Sequence, residues 1–287
     1  MTYETPQALR MALEQRLRSR SNETGVALDR LRRRVLFERI VARLEAAESG
    51  RWVLKGGMAL EVRLHDAARL TKDIDLGLRG EVDDDRALHD RMVSALGVDL
   101  DGDGFVLVAA RPQELAADGG GHLTWRVKVT ASLAGKPFGG IQIDVSPRAH
   151  ELARTDRMAL PNLLDFAGVP APVVEVVDVH RHAAEKFHAM LRDFGDRENS
   201  RVRDLVDLVL LIEHDQLDDE RVATEVVQVW AERDGADPPA VLPPLPATWP
   251  ARYERLADDH DLTTTTFADA VTAVERLWTR LFPTQES

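Results

Sequence analysis

Two aspartates one residue apart, Asp73 and Asp75, open an apolar run to Leu78 that reads as a strand. Side chains alternate along a strand, so both carboxylates point to one face. Two such charges repel unless a cation lies between them. A hard ion such as Mg²⁺ takes carboxylate oxygens and keeps phosphate oxygens as further ligands. The pair therefore suggests a metal-bound nucleotide. Upstream, Gly56 and Gly57 follow a short apolar strand, Trp52 to Leu54, and lead into a helix. Glycine lets the backbone turn tightly and lets a bulky anion approach the free N–H groups of a helix start. Taken alone, an Asp-x-Asp in an acidic chain is more commonly a solvated surface pair.

Further residues extend the constellation. Only five of the 37 basic residues are Lys: Lys55, Lys72, Lys128, Lys136 and Lys186. Lys is a compact point charge suited to a phosphate, a role in which Arg is a poor substitute, and two of the five flank the glycine-to-aspartate stretch. Asp144 sits inside the apolar strand Ile141 to Val145, where an acid is costly unless it is paired or binds a cation; a surface residue at the strand end is the plainer alternative. Asp204 and Asp207, three apart, share one face of a strongly apolar helix from Val202 to Glu213. For Asp207 an ion pair with nearby Arg203 is the plainer alternative. Asp99 to Gly104 matches four positions of a calcium loop, but Ala110 stands where a bidentate Glu is needed, so an Asp/Gly turn is expected. His182 and His188 are not at the spacing of a helical metal pair.

Positioning these groups requires a set of elements. Periodicity predicts two N-terminal helices, around Leu9 to Leu17 and Val26 to Leu44, then a helix from Met58 to Leu64 and another from Asp83 to Leu96. Strands are predicted over Phe105 to Ala109, Leu123 to Leu133, Ile141 to Val145 and Val173 to Val177, with a turn-rich loop from Gly135 to Gly140 making a hairpin. Helices follow over Val179 to Arg192, Val202 to Glu213, Glu220 to Arg233, Ala251 to Asp258 and Thr266 to Leu281. Six prolines between Asp237 and Pro250 mark an extended linker.

The order strand, Gly-Gly, helix, Lys-Asp-x-Asp, strand resembles the opening of the polymerase-β type nucleotidyltransferase fold. More narrowly, it is similar to the AbiEii/MenT family of nucleotidyltransferase toxins, from about residue 50 to 212. The family's Lys-Gly-Gly-Ser/Thr reads here as Lys55-Gly56-Gly57-Met58, and its Arg-x-Ser-x-Asp-x-Asp as Arg69, Thr71, Asp73 and Asp75, preceded by Lys72. Met58 departs from the pattern, which removes a hydroxyl contact to phosphate. The resemblance implies an α+β fold: a nucleotidyltransferase lobe with a mixed sheet flanked by helices (residues 1–160), then a mainly helical lobe (161–287) completing the active site. It implies Mg²⁺ or Mn²⁺ on Asp73, Asp75 and Asp144, an NTP as substrate, and nucleotide-binding roles for Lys55, Gly56, Gly57, Arg69, Thr71, Lys72 and Asp204. Lys186 and Asp207 would join Asp73 and Asp75 in catalysis. The implied activity is transfer of a nucleoside monophosphate to an acceptor, for MenT-type members the tRNA 3′ end, which blocks translation, and a cognate antitoxin is the implied partner.

Composition bounds these readings. With 44% hydrophobic and 30% charged residues the chain is an ordinary globular protein. It has neither an apolar run that could cross a bilayer nor an apolar signal core, which points to the cytoplasm, and no Cys, which removes disulfides, thiolate metal sites and a cysteine nucleophile. A net charge of −12 opposes non-specific nucleic-acid binding. An RNA acceptor would therefore need a local basic patch, for which the first helices, with Arg32, Arg33 and Arg34, are the dense source and are expected to line an approach to Asp73 and Asp75. Two rival classes remain at this level: a metal-dependent glycosyltransferase using the Asp-x-Asp for a nucleotide sugar, and a non-catalytic nucleotide- or RNA-binding protein, motivated by Met58.

Overall fold

The computed structural model describes residues 3–65, 73–115, 123–148, 152–193, 195 and 198–283. The chain divides into two compact units, Met1–Val62 with Thr71–Val176, and Arg63–Leu70 with Val177–Ser287. In the first lie α1 (Pro6–Thr24), α2 (Leu28–Ala47), β1 (Trp52–Lys55), α3 (Gly56–Leu64), β2 (Asp73–Leu78), α4 (Asp85–Leu96), β3 (Phe105–Ala109), β4 (Gln113–Leu115), β5 (Thr124–Leu133), β6 (Lys136–Ser146), β7 (Thr155–Ala159) and β8 (Val173–Val177). The second holds α5 (Val179–Leu191), α6 (Val202–Glu213), α7 (Asp219–Asp234), α8 (Pro250–Asp259) and α9 (Phe267–Leu281). This is the mixed α+β architecture expected from the sequence. Among the described residues no helix is long and apolar enough to cross a membrane.

The strands form one mixed sheet in the order β3-β5-β6-β2-β1-β8-β7, with β4 also paired to β5. β2 runs parallel to β6 and β1 parallel to β8, whereas β1–β2, β5–β6 and β3–β5 are antiparallel. Alternation gives the sheet two unlike faces. One carries Leu54, Ile74, Leu76, Val127, Val129, Ile141, Ile143 and Val145, all buried, and α2 packs on β6 there. The other carries Lys55, Asp73, Asp75, Arg126, Lys128, Gln142 and Asp144, none of them fully buried.

The expected loop from Gly135 to Gly140 is shorter than its composition suggested. Ala134 and Gly135 both have positive φ, 53° and 70°, and β6 starts at Lys136. Two residues in that region make the tight turn whose twist suits a hairpin. The short strands β4 and β7 carry no apolar alternation, which is why sequence periodicity passed over them. α4 begins at Asp85 because the Asp84 side chain accepts the Ala87 N–H at 2.7 Å as an N-cap.

Asp99 to Gly104 is a turn that serves as a structural clamp. Asp103, fully buried, accepts from Arg39 at 2.5 Å and from Arg43 at 2.8 Å, and Asp101 accepts from Arg39 at 2.9 Å. Both arginines come from the buried side of α2 and are themselves buried. Replacing Asp103 with Ala would leave two buried guanidinium groups short of their carboxylate. The expected cost is about 3–5 kcal/mol, measured by urea unfolding of the variant against the parent.

Candidate active site

Four charged residues line up across four neighbouring strands. The register sets Lys55 of β1 opposite Asp75 of β2, Asp75 opposite Asp144 of β6, and Asp144 opposite Arg126 of β5. Directly paired residues point to the same face, so the row reads cation, carboxylate, carboxylate, cation along the open face. Asp73, two residues before Asp75, joins the same face and pairs in register with Gln142, which in turn pairs with Lys128. Asp73, Asp75 and Asp144 thus share one face of the sheet.

Arg126 is the member that sequence reasoning missed. Its Nε and one terminal nitrogen donate to the two oxygens of Asp144 at 2.8 and 2.7 Å. The bidentate Asp144 pair, with smaller contributions from Asp73 and Asp75, holds the guanidinium above its ordinary pKa. An Arg alternating with Lys128 and Thr130 on a strand gives no local signal of this role. The pairing partner lies across a hairpin.

The glycine before α3 is required by the same row. Gly56 has φ +59°, and a Cβ built on it would lie 1.8 Å from Asp75 Oδ2. The carboxylate occupies the space any side chain would need. Among the described residues no three or more His, Cys, Asp or Glu side chains are grouped so that they could hold a metal ion together. The charged donors of the face are carboxylate oxygens, which suit a hard cation, and Arg126 already places one positive charge against them.

In the second unit, α5 and α6 bring Lys186, Asp204 and Asp207 together. Lys186 Nζ lies 3.0 Å from Asp204 Oδ1 and 2.5 Å from Asp207 Oδ2. Asp207 is fully buried, and Lys186 and Asp204 nearly so. α6 is otherwise apolar because it packs against α5, α8 and α9, so a carboxylate at Asp207 persists only because it meets a cation. That cation is Lys186, whereas Arg203 is exposed. The nearby histidines have structural partners: His180 Nδ1 lies 3.0 Å from Asp178, and His188 Nε2 lies 2.9 Å from Asp234. Burial would raise the Asp178 carboxyl, but its bonds from His180 and the Arg181 N–H, with Arg221 nearby, outweigh that and hold it at about 2.

Two expectations change. Arg32 and Arg34 do not form an open basic face: Arg32 is bridged to Glu14 at 2.7 Å and to Asp29 at 3.1 Å, and Arg34 to Glu61 at 2.6 Å. Arg33 lines a small cavity with Arg30, Arg34, Phe37, Met58, Glu61 and Ile141. Ile141 belongs to the apolar face, so this cluster lies against the side of the sheet opposite Asp73 and Asp75. The reason is that α2 is a packing helix whose arginines answer acids on its neighbours. Met58 faces the same way and is buried, so its departure from Ser or Thr substitutes a packing residue. Arg69, Thr71 and Lys72 lie outside the described residues.

The model of the family described as "Nucleotidyl transferase AbiEii toxin, Type IV TA system" matches residues 39–279, most of the chain. The chain belongs to the AbiEii nucleotidyltransferase toxin family. Among solved structures it is similar to MenT4, nucleotidyltransferase toxin Rv2826c from Mycobacterium tuberculosis H37Rv, at 20% identity and TM-score 0.60, over 94% of this chain and 89% of that one. A weaker likeness is to JHP933 from Helicobacter pylori, at 15% identity and TM-score 0.46, over 89% and 91%. No curated protein matches. Membership in AbiEii makes the protein a nucleotidyltransferase toxin of a type IV toxin–antitoxin system, which implies an NTP substrate and an antitoxin partner.

The close approach at Gly56 yields a direct expectation. Gly56→Ala forces the Asp75 carboxylate aside, and a displacement of about 1 Å at a reacting centre costs on the order of 100-fold in rate. Nucleotidyl transfer by Gly56→Ala should fall by that factor or more. Gly139→Ala, whose Cβ meets nothing within 4 Å, should match the parent in the same assay.

Proposed function

We propose that the protein transfers a nucleoside monophosphate from an NTP to the 3′ end of an RNA acceptor, with tRNA as the favoured acceptor and arrested translation as the consequence. The observation that carries this reading is the run of Asp73, Asp75 and Asp144 on one open sheet face beside the glycine start of α3, in a chain of the AbiEii family. Asp73 and Asp75 are the residues that would hold Mg²⁺ or Mn²⁺, with Asp144 as the third carboxylate. A divalent ion there supplies charge neutralisation of the triphosphate and lowers the barrier to in-line attack.

The chain's own groups then have separable tasks. Lys55, beside Asp75, and the turn at Gly56 and Gly57 orient the triphosphate through charge and backbone approach. Arg69, Thr71 and Lys72 are assigned to the nucleotide on the family pattern. The acceptor 3′ hydroxyl attacks the α-phosphorus and releases its proton to solvent, a new P–O bond forms, and the bond to pyrophosphate breaks. We assign Lys186 to neutralising phosphate charge. Asp204 and Asp207 orient it: with no exposed surface, Asp207 is better placed to hold Lys186 than to take a proton from an acceptor. The cytoplasm, where NTPs and tRNA meet, is the compartment this reaction requires.

Family membership sets aside the glycosyltransferase alternative and favours an enzyme over a non-catalytic binding protein. The test is transfer of label from α-³²P NTPs to purified tRNA. The parent should label it only with a divalent metal, and Asp75→Asn, which keeps shape and removes charge, should label at least 100-fold less while melting within a few degrees of the parent. Labelling that survives both chelation and Asp75→Asn would overturn the reading.

A further inference from the structure

Arg39, Arg43 and Arg126 all meet carboxylates, in different settings. Arg39 and Arg43 have about 1% of their side chains exposed and each is held by several acceptors. Arg126 differs on both counts. Its side chain is 36% exposed, and among the described residues Asp144 is its one hydrogen-bonding partner. Arg280 is likewise exposed and bonded to both oxygens of one carboxylate, Asp219, so what sets Arg126 apart is its place in the carboxylate row. Arg126 lies on the open face, with solvent to move into, and it takes up both oxygens of a carboxylate that stands in register with Asp75.

Two carboxylates paired across β2 and β6 repel, and the site must be charge-balanced before any ligand arrives. Lys55 lies beside Asp75 and Arg126 beside Asp144. A bidentate guanidinium fills the lone pairs that a metal would use on Asp144. A half-exposed ion pair is nevertheless weak, because solvent screens it and the long side chain loses freedom by staying put. A divalent ion carries twice the charge in a smaller radius and can take its place.

We propose that Arg126 is a built-in counter-cation that occupies Asp144 until metal arrives and must be displaced for Asp144 to become a ligand, so that it sets the metal concentration at which the site is filled. The inference rests on the metal reading of Asp73, Asp75 and Asp144. Arg126 is in this sense a positioning residue. It keeps the carboxylates from springing apart when empty, and it competes with the ion that replaces it. The opposite role, in which Arg126 holds Asp144 in place for the metal, predicts the opposite sign.

Mn²⁺ alone, titrated into the full chain without nucleotide and followed by its electron paramagnetic resonance signal, separates the two. Arg126→Gln should bind Mn²⁺ about 3- to 10-fold more tightly than the parent, and Arg126→Lys, which keeps the charge without the bidentate fork, should fall between. In thermal melting, Mn²⁺ should raise the melting temperature of Arg126→Gln more than that of the parent. With Asp144→Asn as background, Arg126→Gln should add no further tightening. Equal or weaker Mn²⁺ binding by both Arg126 variants, with parent binding that depends on Asp75, would overturn the counter-cation role alone. Absence of Asp75-dependent Mn²⁺ binding in the parent would overturn the metal reading and this inference with it.

Discussion

The repulsion between Asp75 and Asp144 is the constraint on which the rest of the first unit turns. The two carboxylates face each other because β2 and β6 pair in parallel with that register, and the register is held by features some distance away. The Ala134–Gly135 turn fixes how β6 returns along β5, and so fixes Arg126 opposite Asp144. A slip of one residue in β6 would turn Asp144 into the apolar face and expose Ile143. Lys55 closes the row from the other side. Because Asp75 fills the space beside Gly56, the start of α3 can carry no side chain there.

A protein of net charge −12 that handles polyanionic substrates must use its cations sparingly, and the structure shows where they go. Much of the arginine in α1 and α2 is committed to the fold. Arg10 donates to carbonyls of the β5–β6 hairpin, Arg16 lies 4.1 Å over the Phe166 ring, and Arg39 and Arg43 grip Asp103. Among the described residues the sheet strands place Lys55, Arg126 and Lys128 on the open face. The open face thus takes its positive charge from strands, while the arginines of α1 and α2 serve the fold.

Local signals were legible in the sequence and non-local ones were not. Asp73 and Asp75 share a face because strand alternation demands it, and Asp204 and Asp207 stood out as acids set in an apolar helix, whereas Lys186 was tied to them only by the family resemblance, the residues alone pointing to Arg203. Asp144 stood out for the same reason, as a charge amid Ile and Val. Arg126 was invisible because its meaning lies in a pairing across a hairpin, and nothing in Arg126-Val127-Lys128 distinguishes it from a solvated edge. The α2 arginines misled for a related reason. A run of Arg looks like a basic surface until the acids that answer it, Glu14, Glu61 and Asp103, are folded against it. The β4 and β7 strands are held by their neighbours, which periodicity cannot register.

The central claim is that one sheet face, centred on Asp75, receives the metal-bound nucleotide. A crystal of the full chain grown with Mn²⁺ and a non-hydrolysable NTP analogue tests it most directly through the anomalous signal of the metal. The account predicts a peak bonded to the Asp73 and Asp75 carboxylates, about 2.0–2.2 Å from their oxygens as for small hard cations, with the triphosphate oxygens completing its shell. A nucleotide and metal bound elsewhere, with that face empty, would contradict it.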